Sequence, residues 1–293
     1  MKRLILLATG ALSCAAFGEE APAINATANL DRQFQTIESF TASDAWSGNF
    51  IGKFFADDKK EKLAKWLFSQ KYGEDGSPEG IGLSMWRINI GGGTWEQEGA
   101  DIFPIQRRAE SFLTKDGKNY DWSKAAGQQW FMKKAKELGC ESFLLFSNTP
   151  PVQMTQNSKG YKDAADFKSN LRPDMYDDFA EYMATVAKHF VDEGYNIDYI
   201  SPVNEPGWRW STNAQEGSPW LNPEIKRLAI ELDKSLLKRG LKTKQLLCEA
   251  EGINYLYEKD SYLKKRKNIK RKPCLATKSA RSSTPTAKTI SGI

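Results

Sequence analysis

Histidine is nearly absent from this chain of 293 residues, and the scarcity removes whole classes of chemistry. The one copy, His189, falls in "YMATVAKHFVDEGY", an apolar helical pattern that suits a packed or surface helix residue, so no Ser/His/Asp or Cys/His site is expected. Cysteine is scarce as well. Cys140, Cys248 and Cys274 are spaced too widely and irregularly for a disulfide framework or a zinc knuckle, and Cys14 lies in an N-terminal leader. Neither G-x-G-x-x-G nor G-x-x-x-x-G-K-[ST] follows any strand-like run, which excludes the standard phosphate cradles. The expectation is therefore no cofactor and no metal. Beyond the leader, no run approaches the roughly 20 apolar residues of a membrane-spanning helix, so no membrane role beyond an export signal is expected.

The leader itself is present. Lys2 and Arg3 precede "LILLATGALSCAAF", small residues follow, and Glu19 and Glu20 close the segment, the charge and size order of a secretory signal peptide over residues 1–18. Cys14 as a lipoprotein cysteine is the alternative, which Leu12 and Ser13 fit poorly. An exported chain, periplasmic or extracellular, is expected.

Charge of one sign is missing from the other end. Residues 261–293 hold ten of the 42 basic residues and none of the 37 acidic ones, so residues 1–260 carry a net −5 where the whole chain carries +5. A mildly acidic body suits an exported hydrolase better than a nucleic-acid binder. The Lys/Arg- and Ser/Thr-rich tail cannot build an apolar core, and its expected state is disorder. Out-of-frame translation and a polyanion-binding arm are both open readings of it. The domain expectation is thus signal peptide 1–18, body 19–260 and basic tail 261–293.

Within the body, β-type runs alternate with amphipathic helical stretches. Strands are expected within 34–46, 80–95, 140–155, 197–206 and 244–252. Helices are expected over 57–73, with Leu63, Trp66 and Leu67 on one face, over 121–139, capped by Asp121 or Ser123 and stopped by Gly139, over 172–195, with proline in the first turn, and over 222–241. Five such alternations predict parallel βαβ units of the α/β class, in a doubly wound sheet or a (β/α)8 barrel. The missing nucleotide motifs count against the first. The run Gly91-Gly92-Gly93 is either a close backbone approach or plain loop geometry.

The chemistry concentrates at predicted strand ends. Glu205 in "SPVNEPGWRW" ends the fourth strand, where barrel enzymes carry their working groups. Pro206 keeps Glu205 out of the helical region, so an extended strand end is expected, with Asn204 able to read a sugar hydroxyl and Trp208 and Trp210 able to stack on sugar rings. Read locally, Asn-Glu-Pro-Gly is equally a turn. Other strand ends carry Asp44 and Trp46 in "TASDAWSG", Arg87 in "MWRINIGGG", with Trp95 just beyond, and Asn148 in "LLFSNTPPVQM". A guanidinium in an apolar strand such as "LSMWRINI" needs a carboxylate partner, which it holds ionised, or a structural salt bridge elsewhere.

Taken together, "GLSMWRINIGGG", "LLFSNTPPVQM", "FTASDAWSG", "SPVNEPGWRW" and "NAQEGSPWLNPEI" resemble glycoside hydrolase family 30, near its endo-β-1,6-galactanase-like branch, over about residues 31–260. The resemblance implies a (β/α)8 barrel with an associated β-sandwich, a retaining O-glycosidase, and a β-linked, galactan-like polysaccharide as the partner. It makes Glu205 the general acid/base, places Asn204 at the sugar 2-hydroxyl, and has Arg87 support a nucleophile that ends the seventh strand. The regular pattern here stops at the fifth strand. Strands six to eight, that nucleophile and the sandwich are therefore expected to be absent, which leaves an inactive chain as an open reading, and Glu249 and Glu251 are the nearby carboxylates, to which the resemblance gives no such role. A carbohydrate-binding remnant without hydrolysis, using Trp46, Trp95, Trp208 and Trp210, is the alternative.

Overall fold

The computed structural model describes residues 31–163, 166–247 and 249–252. The chain divides into two compact units, Met1–Glu38 and Ser39–Ile293. Of the first, residues 31–38 are described and contain no helix or strand. The signal peptide and the basic tail lie outside the described residues.

The second unit is α/β, and its sheet is parallel throughout. Five strands, β1 (Thr41–Ser43), β2 (Met85–Asn89), β3 (Ser142–Phe146), β4 (Ile197–Ser201) and β5 (Lys244–Gln245), lie side by side in sequence order. The connections carry α1 (Ser47–Phe54) and α2 (Asp57–Phe68), then α3 (Ala126–Glu137), α4 (Tyr176–Asp192) and α5 (Asn222–Lys238). Monotonic order without a reversal is the sequence of a barrel rather than of a doubly wound sheet, which has a switch point.

The period of two along each strand sorts its side chains between two faces. Trp86 and Ile88 of β2, Phe143 and Leu145 of β3 and Ile200 of β4 join the helix-covered core, where Phe179, Ala180, Met183 and Phe190 of α4 and Leu228 and Leu232 of α5 are buried. Met85, Leu144 and Phe146 form a separate small cluster with Tyr199 and Leu246 on the other face. Arg87 therefore alternates onto that second face, the interior of a barrel.

Several local expectations are corrected. Strands are shorter than the apolar runs that announce them, because the ends of those runs turn into loops. Helix α1 was not expected, since "SGNFIGKF" is short and carries two glycines. Gly52 is required there because it packs against Gly127 of α3 so closely that it has no room for a Cβ, and Gly127 in turn lies as close to the Asn49 backbone of α1. On α2 the buried residues are Ala64 and Phe68; Trp66 is 51 % exposed, with the Lys62 ammonium 4.8 Å above its ring. Asp121 accepts from the Ser123 amide in a turn (3.0 Å) ahead of α3 rather than capping it, and Pro173 precedes α4 instead of entering its first turn. Gly139, at φ 107°, does stop α3, and Pro223 lies in the first turn of α5, where Glu224 accepts from the Leu221 amide at 2.7 Å. His189 stacks on Trp122 with ring centroids 3.8 Å apart and lies 3.3 Å from Glu193, a helix-packing role. Cys140 is buried and unpaired. No described helix is long and apolar enough to cross a membrane, and no three described His, Cys, Asp or Glu side chains are grouped to hold a metal ion.

Candidate active site

The chain leaves β4 through Pro202 and Val203 to Asn204, which pairs with Glu249 in a single parallel bridge just beyond β5. The Glu205 amide donates to the Glu249 carbonyl at 2.8 Å, so the two strand ends are tied by main chain at the candidate catalytic residue. Glu205 itself is not extended: its φ is 42°, in the left-handed region that a non-glycine residue rarely occupies. Proline at the next position disfavours the right-handed helical region, and the chain reverses at once, with the Trp208 amide donating to the Glu205 carbonyl at 3.0 Å. The extended strand end expected at Glu205 is corrected: β4 stops at Ser201, a single bridge follows at Asn204, and Asn-Glu-Pro-Gly forms a turn.

Arg87 crosses from β2 to meet this corner. Its Nε donates to Glu249 Oε1 at 3.1 Å and its Nη2 to Glu249 Oε2 at 2.7 Å, a bidentate pair. Nη2 also donates to Asn204 Oδ1 at 2.7 Å, and Nη1 to Ser43 Oγ at 3.0 Å. The guanidinium carbon lies 3.3 Å from the centre of the Phe146 ring. The carboxylate partner that a charge in this apolar strand demands is thus Glu249. Burial raises the Glu205 pKa above the ordinary carboxylate value; the Arg87 charge opposes this rise and the Glu249 charge adds to it. A carboxyl group that holds its proton more tightly than an ordinary carboxylate is what a general acid requires.

The remaining expected site residues divide. Trp208 is exposed at 44 %, as a stacking surface must be. Trp210 is corrected: it is 5 % exposed, it adopts φ 51°, its indole N–H donates to the Glu205 carbonyl at 3.0 Å, and Gly217 lies flat against its ring. It supports the Glu205 turn from beneath and offers no open face. Asp44 is corrected as well, because it is 4 % exposed, accepts from Gln128 Nε2 at 2.9 Å and from the Asn89 amide at 3.4 Å, and has its carboxyl pushed up to about 7 by burial. It joins β2 to α3 instead of facing a ligand. Trp46 is half-buried, with the Arg107 guanidinium 4.6 Å over its ring. Trp95 packs beside Phe54 of α1 at 6.2 Å, with the Lys53 ammonium 5.7 Å away. Asn148 is buried at the end of β3, and its carbonyl accepts from the Ser218 amide at 3.0 Å.

One residue that sequence reasoning passed over holds the neighbouring loops together. Glu216, fully buried in the β4–α5 connection, accepts from the Gly92 amide at 2.9 Å, the Thr94 amide at 3.2 Å, the Thr94 hydroxyl at 2.5 Å and the Ala109 amide at 3.4 Å. Burial pushes its carboxyl up to about 7 despite these donors. The glycine run now has its reason: Gly93 adopts φ 88°, and Gly92 lies against Thr149 too closely for a side chain while its N–H reaches Glu216. The signal available in the sequence was an acid flanked by small residues in "NAQEGSPW".

A family model, O-glycosyl hydrolase family 30, matches residues 23–272, which include every residue of this corner. The chain belongs to that family. The family is one of glycosidases, and its barrel architecture agrees with the four successive βα units and fifth strand described. Among curated relatives, the chain is 25 % identical over 250 residues to an endo-β-1,6-galactanase of Hypocrea rufa, covering 78 % of this chain and 50 % of that one. It is also 25 % identical over 218 residues to an exo-β-1,6-galactobiohydrolase of Bifidobacterium longum subsp. longum, covering 58 % of this chain and 14 % of that one. The chain therefore spans half the length of the first relative and a smaller part of the second. Among solved structures, a conserved exported protein from Bacteroides fragilis is 41 % identical with a TM-score of 0.76, over 80 % of this chain and 48 % of that one. The catalytic domain of a xylanase C from Talaromyces cellulolyticus, at 20 % identity and a TM-score of 0.55 over 75 % of this chain and 48 % of that one, shares the fold.

Proposed function

We propose that the chain is an exported retaining endo-glycosidase acting on a β-linked, galactan-like polysaccharide, periplasmic or extracellular, with Glu205 as general acid/base. The observation that carries the reading is the corner itself: a carboxyl group whose pKa burial has raised stands beside a carboxamide fixed by an arginine, at the C-terminal end of a barrel strand. Glu205 would protonate the departing glycosidic oxygen and then deprotonate the water that releases the sugar; the carboxylate about 5–5.5 Å away that a retaining route also needs on the opposite face is assigned to no described residue. Asn204 would contact the 2-hydroxyl, and Trp208, Trp46, Trp95 and Asn148 would line the sugar path. The β-1,6 linkage of the galactan relatives and the export of the Bacteroides fragilis protein support the substrate and location.

A second reading, sugar binding without hydrolysis, is favoured by one observation: the carboxylate whose charge Glu205 feels, Glu249, is committed through both oxygens to Arg87. Incubating the full chain with β-1,6-galacto-oligosaccharides decides between the two. Release of new reducing ends, with the anomeric configuration retained by NMR, supports the hydrolase; binding by calorimetry without release selects the binding protein.

A further inference from the structure

We propose that Glu249 is a positioning residue of this site: its carboxylate clamps the Arg87 guanidinium so that Asn204 turns its amide N–H groups, rather than its oxygen, toward the ligand beside Glu205. The inference rests on Asn204 and Glu205 being the sugar-facing pair and adds a part that the resemblance to family 30 did not assign.

The geometry leaves Arg87 no freedom. A guanidinium has five N–H donors in a fixed plane. Here four of them are directed at both Glu249 oxygens, at Asn204 Oδ1 and at Ser43 Oγ, with one face closed by Phe146. With Asn204 Oδ1 held by a cationic donor, a flipped carboxamide would set N–H against N–H, so Nδ2 is the end left for the ligand. Asn204 then offers hydrogens and selects an acceptor oxygen. The main-chain ties between the strand ends, Glu205 N–H to Glu249 carbonyl and the Asn204–Glu249 bridge, do not use the Glu249 side chain. Changing that side chain therefore tests the clamp without cutting the backbone connection.

The charged groups around Glu205 are Arg87 from β2 and, beyond β5, Glu249 and Glu251, the last packed against Gly207. Loss of the Glu249 charge removes a repulsion and frees Arg87 to approach Glu205. Loss of Arg87 leaves the repulsion uncompensated. The two changes act on the Glu205 proton in opposite directions, whereas simple loosening of the corner would move it toward the ordinary carboxylate value in both.

The test is NMR on the full chain, reading the Glu205 carboxyl titration, assigned through Glu205→Gln, together with the Asn204 side-chain amide. In Glu249→Gln the Glu205 midpoint should fall by about one pH unit and the Asn204 amide should lose its order. In Arg87→Met the midpoint should rise. A midpoint and an amide both unmoved in Glu249→Gln, or shifts of the same sign in the two variants, would overturn the proposal. Neither readout requires turnover. Adding β-1,6-galactobiose separates the questions: opposite shifts with no response to the sugar leave the clamp standing and remove the sugar-facing reading on which its purpose rests.

Discussion

Glu205 and Glu216 lie eleven residues apart in one connection, both are driven toward the protonated form by burial, and their surroundings differ in kind. Glu216 is sealed and accepts four neutral donors from two stretches of chain, so its proton affinity is a property of packing. Glu205 is partly open, sits at a strained φ and is pulled in opposite directions by Arg87 and Glu249. A raised carboxyl pKa alone therefore does not mark a catalytic acid; access and a charged, adjustable surrounding do. The same contrast separates Trp210, which props the turn, from Trp208, which is exposed beside it.

The largest effect expected from breaking this contrast is on the tryptophans. Trp210→Ala should cost about 3–5 kcal/mol of stability by chemical denaturation, against under about 1 kcal/mol for Trp208→Ala, whose loss should appear in oligosaccharide affinity instead. Equal costs would erase the distinction. Next, Glu216→Ala should cost about 3 kcal/mol, because it leaves several buried amides without an acceptor, and a loss below about 1 kcal/mol would show that the loops hold without it. Smaller is the pH effect. The folded-state pKa of Glu216, about 7, lies above its ordinary 4.5, so the folded chain holds this proton more tightly than the unfolded one does. Its contribution is complete below pH 4.5 and is lost as pH rises through about 7. Asp44, also raised to about 7, acts with the same sign. The fall in melting temperature between pH 5 and pH 8 should therefore shrink in Glu216→Gln and again when Asp44→Asn is added; an unchanged slope would assign it to other groups.

Short-range grammar carried the fold a long way. Helices α3, α4 and α5 declare themselves by apolar spacing, and α3 and α5 also by Gly139 and Pro223, because these signals act within one or two turns of chain. Helix α1 was hidden because its pairing with α3 depends on Gly52 meeting Gly127, 75 positions later. The site divides in the same way. Glu205, Asn204 and Arg87 are legible as polar residues at strand ends, and the need of Arg87 for a carboxylate follows from desolvation alone. Which carboxylate answers it, 162 residues away, is decided by strand order and register. Glu216 reaches its partners across 107 to 124 residues, and its local setting in "NAQEGSPW" does not say which they are. The positive φ of Glu205 is equally beyond reach of proline chemistry, which says what the preceding residue avoids and not what it adopts.

Glu205 is proposed to act on a bond, whereas Glu216 holds loops. Reducing-end release from β-1,6-galactan by the full chain, alongside Glu205→Gln and Glu216→Gln at matched folded fraction, tests it most directly. The expected result is a loss of about 100-fold or more in Glu205→Gln with its melting temperature preserved, and turnover per folded molecule within a few-fold of the parent in Glu216→Gln. Parental turnover in Glu205→Gln, or a folded parent chain that releases nothing, would contradict it.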